Sequence, residues 1–66
     1  MTTSYWRTYA MDLEARLEWE RAALAWQSAI NNYPWPNGEL AATDLARMAE
    51  RRDYCTIAAE AARSKP

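Results

Sequence analysis

The side chain best suited to chemistry is a single cysteine, Cys55, which follows two arginines, Arg51 and Arg52. Guanidinium charge beside a thiol lowers its pKa and makes a nucleophile. The plainer reading is a small buried apolar residue, since free cysteine is among the most buried residue types. The chain has no histidine and one glycine, so it lacks the usual general base, a Cys/His zinc set and a Gly-rich phosphate loop. No Ser or Cys stands beside a plausible base. The inventory points away from an enzyme, and no catalytic, cofactor-binding or metal residue is assigned.

What remains is chemistry of recognition. Arg47, Arg51 and Arg52 form the one basic cluster, with Arg47 and Arg51 a helical turn apart. They could meet DNA phosphates, but Asp44, Glu50 and Asp53 lie alongside, and a solvated or salt-bridged helix face is the simpler expectation. No helix-turn-helix spacing is evident. The acidic row Asp12, Glu14, Glu18 and Glu20 reads as solvent face, able with Arg16 and Arg21 to set partner choice electrostatically. Trp35, held between Pro34 and Pro36, is restricted to extended conformations. It is expected to fold back over the core; the alternative is an exposed, preorganised anchor for a partner.

The elements that position these residues follow from one break in the chain. In NNYPWPNG (31–38) two prolines, three asparagines and the only glycine exclude regular helix. Before it, Ser4 is a plausible N-cap, and Trp6, Tyr9, Ala10, Leu13 and Leu17 fall at steps of three and four on one helix face. Ala22, Ala23, Trp26, Ala29 and Ile30 continue the stripe from Trp19. After the break, Asn37 can cap a helix carrying Glu39 in its first turn. There Ala41, Leu45, Met48, Arg52, Cys55, Ala59 and Ala62 make a heptad-like seam containing one arginine.

Local propensity does not decide whether residues 5–32 are one helix or two, because Leu13 through Leu17 are all good helix formers. A single helix there would run about 42 Å, a poor shape for a 66-residue chain unless it dimerises. Compactness argues for two.

Size and composition set further bounds. So short a chain buries only about 60% of the surface its unfolded form exposes. With one cysteine and no histidine neither a disulfide nor a conventional metal site can staple it, so self-association or a partner is expected to supply stability. Four Trp and four Tyr without Phe suit half-buried positions in small cores and at interfaces. No apolar run approaches the roughly 18 residues of a membrane span, and the N-terminus lacks a signal-peptide pattern, so a cytoplasmic location is expected. The formal net charge of −1 gives no global attraction to nucleic acid.

Residues 13–29, LEARLEWERAALAWQSA, resemble the pattern L-E-x-x-G-x-[YW]-x-x-A-A-x-x-W-x-x-A of the ANR family of small bacterial transcriptional regulators. Leu13, Glu14, Trp19, Ala22, Ala23, Trp26 and Ala29 carry the match. The family pattern continues to an arginine followed shortly by an aromatic–cysteine pair, supplied here by Arg51, Arg52, Tyr54 and Cys55 in RRDYC (51–55). PerC-like activators share a similar core and ending and are the near alternative; both groups are carried on virulence elements and prophages. The spacing also looks like one tetratricopeptide unit, with Trp6, Tyr9, Ala10, Leu13, Trp19, Ala22, Trp26, Ala29 and Pro34 in order. Leu17 falls where that pattern has its turn glycine. The resemblance therefore favours a turn near Leu17 and Glu18, although leucine adopts positive φ less cheaply than glycine.

The expectation is an all-α, three-helix domain spanning residues 1–66, with helices near 5–16, 18–32 and 38–62 and a loop at 33–37. A tetratricopeptide-like hairpin would be covered by the third, longer helix. Leu13, Trp19, Ala22, Trp26, Tyr54 and Cys55 are expected to determine the fold. Trp35, Arg47, Arg51 and Arg52 are the candidates for partner contact. The resemblance implies a plasmid- or phage-borne regulator that binds transcription factors of the AraC type or the nucleoid protein H-NS. The rival classes are a phage-encoded inhibitor of a host enzyme or defence system, and a direct DNA-binding regulator.

Overall fold

The computed structural model describes residues 2–64 as three helices: α1 (Thr3–Ala15), α2 (Trp19–Asn31) and α3 (Glu39–Ser64). No strand occurs among the described residues. The first helix starts earlier than its sequence suggests. Thr2, with extended backbone, is the N-cap in place of Ser4, its hydroxyl accepting the Tyr5 N–H at 3.3 Å. Thr3 is thereby turned inward, where its hydroxyl donates to the Ala29 carbonyl at 3.1 Å and ties the start of α1 to the end of α2.

Between α1 and α2 the chain turns through Leu17, whose φ of 62° places a leucine in the left-handed region. The Leu17 N–H bonds to the Glu14 carbonyl and the Glu18 N–H to the Leu13 carbonyl, each at 2.9 Å. This pair of reversed bonds is a Schellman closure, which satisfies the last carbonyls of α1. The usual glycine is replaced at a cost of about 1–2 kcal/mol. Leu17 therefore leaves the apolar stripe: its side chain is 70% exposed. Glu18 supplies no side-chain cap to α2, and its carboxylate instead takes Arg21 at 2.8 Å.

The helices form an antiparallel hairpin with α3 laid along α2. The core is built from Ala10 and Leu13 of α1, Ala22, Ala25, Trp26 and Ala29 of α2, and Met48 and Cys55 of α3, with Trp6, Tyr9, Trp19, Ala23, Ile30, Tyr33 and Leu45 packed around it. Alanine dominates the central helix because α2 is approached from two sides, and small residues permit close interaxial distances. Trp26 fills the space beside them.

On α3 the buried positions Ala41, Met48 and Cys55 fall seven residues apart, the heptad seam in its simplest form. Arg52 sits on that seam half-buried and satisfied, donating to Gln27 Oε1 of α2 at 2.8 Å. The seam stops short of Ala62, which is exposed. Length explains the end: 13 residues of α2 span about 20 Å against about 39 Å for the 26 of α3.

Three further expectations are corrected in the connecting loop and on α3. Trp35 does not fold back but stands 73% exposed. Gly38, at φ 99°, precedes α3 and its carbonyl accepts the Ala42 N–H at 3.0 Å, so Asn37 is not the N-cap. Tyr54, expected in the fold-determining set, is half exposed and packs its ring on the edge of Trp19, with centroids 5.7 Å apart. What anchors the loop is Tyr33, whose hydroxyl donates to Asp44 at 3.0 Å.

Candidate partner-binding site

Residues far apart in sequence converge where the three helices meet. Glu14, near the end of α1, directs its carboxylate across α2 to α3. One oxygen receives the Trp26 indole N–H at 2.6 Å; the other receives Arg51 Nε at 2.7 Å and Arg51 Nη2. Only 10% of the Glu14 side chain is exposed, against 46% for Arg51. Glu14 is thus no part of a solvent face, unlike Asp12, Glu18 and Glu20, which pair with Arg16, Arg21 and Arg63. Burial raises the pKa of the Glu14 carboxyl, but hydrogen bonds from Arg51 and Trp26, the Arg51 charge and the Cys55 thiol together outweigh it and hold the group below its ordinary range. The Arg51 guanidinium also lies 4.4 Å from the Tyr54 ring centroid, a cation–π contact.

Cys55 stands beside this cluster with no exposed surface. Burial, reinforced by the neighbouring Glu14 charge, pushes its thiol up to about 11 in spite of Arg51. It is protonated at neutral pH and packed, which favours the structural reading over the reactive one. The Glu14–Trp26–Arg51–Cys55 group is a satisfied polar tie between the three helices. No buried side-chain nitrogen or oxygen among the described residues lacks a partner.

The residues singled out for partner contact do not form one patch. Trp35 stands on the loop, Arg52 is engaged with Gln27 and Asp53, and Arg51 is held by Glu14. Arg47 and Arg51 do share a face, and that face is one wall of an open groove of about 320 Å³ between α1 and α3. The opposite wall is Arg7 and Met11, and Trp26 and Met48 form the floor. Arg7 and Met11 lie outside the buried stripe of α1 that periodicity picks out. Yet Arg7, Met11 and Glu14 are spaced by four and three, a second stripe at helical periodicity.

Among the described residues no group of three His, Cys, Asp or Glu side chains is placed to hold a metal ion, and no helix is long and apolar enough to cross a membrane. No protein-family model, curated protein or solved structure matches the chain.

Proposed function

We propose that this protein is a small bacterial regulator of transcription, plasmid- or phage-borne, that acts by binding another protein. The ANR-like pattern implies an AraC-type activator or a nucleoid protein as that partner. The observation that supports the reading is the meeting of the pattern's two separated segments: Glu14 and Trp26 from the first close on Arg51 and Cys55 from the second. The residues of the pattern are thus used to close the fold, and the outer surface is left for contact. That surface carries Leu24, Trp35, Leu40 and Ile57, each about two-thirds exposed or more. Large apolar side chains in such number on so small a chain suit association with a partner or a second copy.

The test is affinity capture of the tagged protein from a bacterial host lysate with mass-spectrometric identification. A transcription factor or nucleoid protein is the expected catch; a metabolic enzyme or a defence protein in its place would move the function to host inhibition. A gel shift with purified protein and DNA alone should stay flat; a shift that needs no second protein and weakens steeply with salt would move the function to direct DNA binding. Light scattering is expected to give a particle of twice the 7.6 kDa chain mass.

A further inference from the structure

Of the seven arginines in the described residues, five stand within ion-pair distance of a carboxylate: Arg16, Arg21, Arg51, Arg52 and Arg63. The two that do not, Arg7 and Arg47, lie on different helices and line the same groove. We infer that the groove between α1 and α3 is the seat for an acidic peptide segment of a protein partner, one carrying an aliphatic side chain between its carboxylates. The inference rests on the reading that the chain acts by protein–protein contact, and names the place and the chemistry of that contact.

Charge and shape both select this occupant. Arg7 and Arg47 line the groove from different helices with no ion pair to a carboxylate among the described residues, and Arg51 adds its half-exposed edge. The one carboxylate in the lining, Glu14, is nearly buried, and both its oxygens are bound. The groove is therefore positive on a chain whose net charge is −1. Between the arginines the surface is apolar: Met48 and Trp26 are buried beneath it and Met11 is half exposed. Methionines fit unbranched or branched aliphatic groups with little loss, a property of surfaces that accept peptide side chains. A duplex fits less well, because phosphate recognition draws on a row of six or more cationic contacts, roughly. A small polar ligand fits less well too, since among the described residues no buried side-chain nitrogen or oxygen is left unsatisfied to orient it.

The experiment is a fluorescence-anisotropy titration of the full chain with a fluorescein-labelled peptide of about 12 residues, glutamate-rich with a central leucine. Binding should weaken about tenfold or more in the double variant Arg7→Ser/Arg47→Ser, and several-fold between about 0.1 M and about 0.5 M salt. Replacing the peptide's leucine by serine should cost about fivefold or more, and a lysine-for-glutamate peptide should not bind. Neither arginine has an ion pair among the described residues, so the variant is expected to keep the wild-type circular dichroism spectrum. A second variant, Met11→Asp, places a negative charge in the wall without touching the core and should also abolish binding. Equal affinity in wild type and variants, binding of the basic peptide, absence of binding, or displacement of the peptide by a DNA duplex would each overturn the inference. The same variants in the capture experiment separate it from the functional reading. If Arg7→Ser/Arg47→Ser still retains the partner, the groove falls and the regulator stands; if wild type captures no transcription protein, the regulator falls while the peptide titration still reads the groove.

Discussion

The α1–α2 hairpin and the end of α3 are both helical, yet they are held by different forces. In the hairpin nearly every turn has a buried residue facing a buried residue, and hydrogen bonds close it at both ends, Thr3 to Ala29 and Glu18 to Leu13. In α3 the last buried side chain is Cys55, and the nine residues after it, four of them alanines, are half-buried or exposed. Arg63 reaches Glu20 only at 4.0 Å, with both side chains largely exposed, so it adds little. Packing holds the hairpin and intrinsic helix propensity holds the tail of α3. A helix in so small a protein is thus stable as far as its neighbour extends and marginal beyond.

The comparison is broken most severely at Trp26. Its side chain is buried at the junction of the helices and its N–H is half of what satisfies Glu14. Trp26→Ala is expected to cost about 3–5 kcal/mol, from the cavity and from the donor withdrawn from the carboxylate. Domains of this size have little more than that in total stability. The variant should lose its cooperative thermal transition by circular dichroism, and retention of a sharp melt would show that the core tolerates the hole.

Glu14 comes next. Glu14→Gln keeps an acceptor but removes its charge, and a loss of about 1–2 kcal/mol at pH 7 is expected, the half-exposed Arg51 limiting it. The pH dependence has a definite sign. Because the folded-state pKa of Glu14 is depressed, the unfolded chain binds its proton first, so the group's contribution is complete above the unfolded value of about 4.3 and fades as pH falls through the lower folded value. Denaturant midpoints measured from pH 7 down to pH 3 should fall less for Glu14→Gln than for wild type. Parallel curves would mean that Glu14 carries no such linkage.

How far the sequence foretold this architecture depends on the kind of signal. The break before α3 and the core positions Leu13, Ala22, Trp26 and Cys55 follow from the proline–asparagine run and from periodicity, which are local properties, whereas the division of α1 from α2 at Leu17 follows from compactness and the pattern resemblance, against local propensity. Glu14 was hidden in a row of acids, since its burial depends on two partners 12 and 37 residues away. The exposure of Trp35 has the same origin: flanking prolines fix its backbone but not what lies beneath it. The groove is a product of two helix faces, and neither face alone distinguishes Arg7 or Arg47 from a solvated arginine.

Leu17 offers a gain instead of a loss. The position requires positive φ, and the leucine side chain is largely exposed, so Leu17→Gly removes the left-handed penalty while forfeiting little packing. Against this stands the greater backbone entropy that glycine gives the unfolded chain. The balance is a stabilisation of about 0.5–1 kcal/mol, read as a higher urea midpoint at unchanged slope. A lower midpoint would mean that Leu17 makes contacts that outweigh its strain, and would shift the case for the turn from backbone geometry to packing.

The smallest effect belongs to the far end of α3. Ala61 is exposed and lies beyond the last buried position of its helix. Glycine in place of alanine costs up to about 1 kcal/mol inside a helix that must stay formed for the protein to fold. If residues beyond Cys55 unfold locally without the core, most of that cost falls on the local equilibrium and little on the global one. Ala61→Gly is therefore expected to reduce helical ellipticity while moving the unfolding free energy by less than about 0.5 kcal/mol. Amide exchange should agree, with protection declining from Cys55 toward Ser64 while Ala22 through Ala29 exchange only by global unfolding. A full penalty in global stability, with uniform protection along α3, would show that something besides propensity holds the tail. A second copy of the chain packed there would produce that result, and its concentration dependence would identify it.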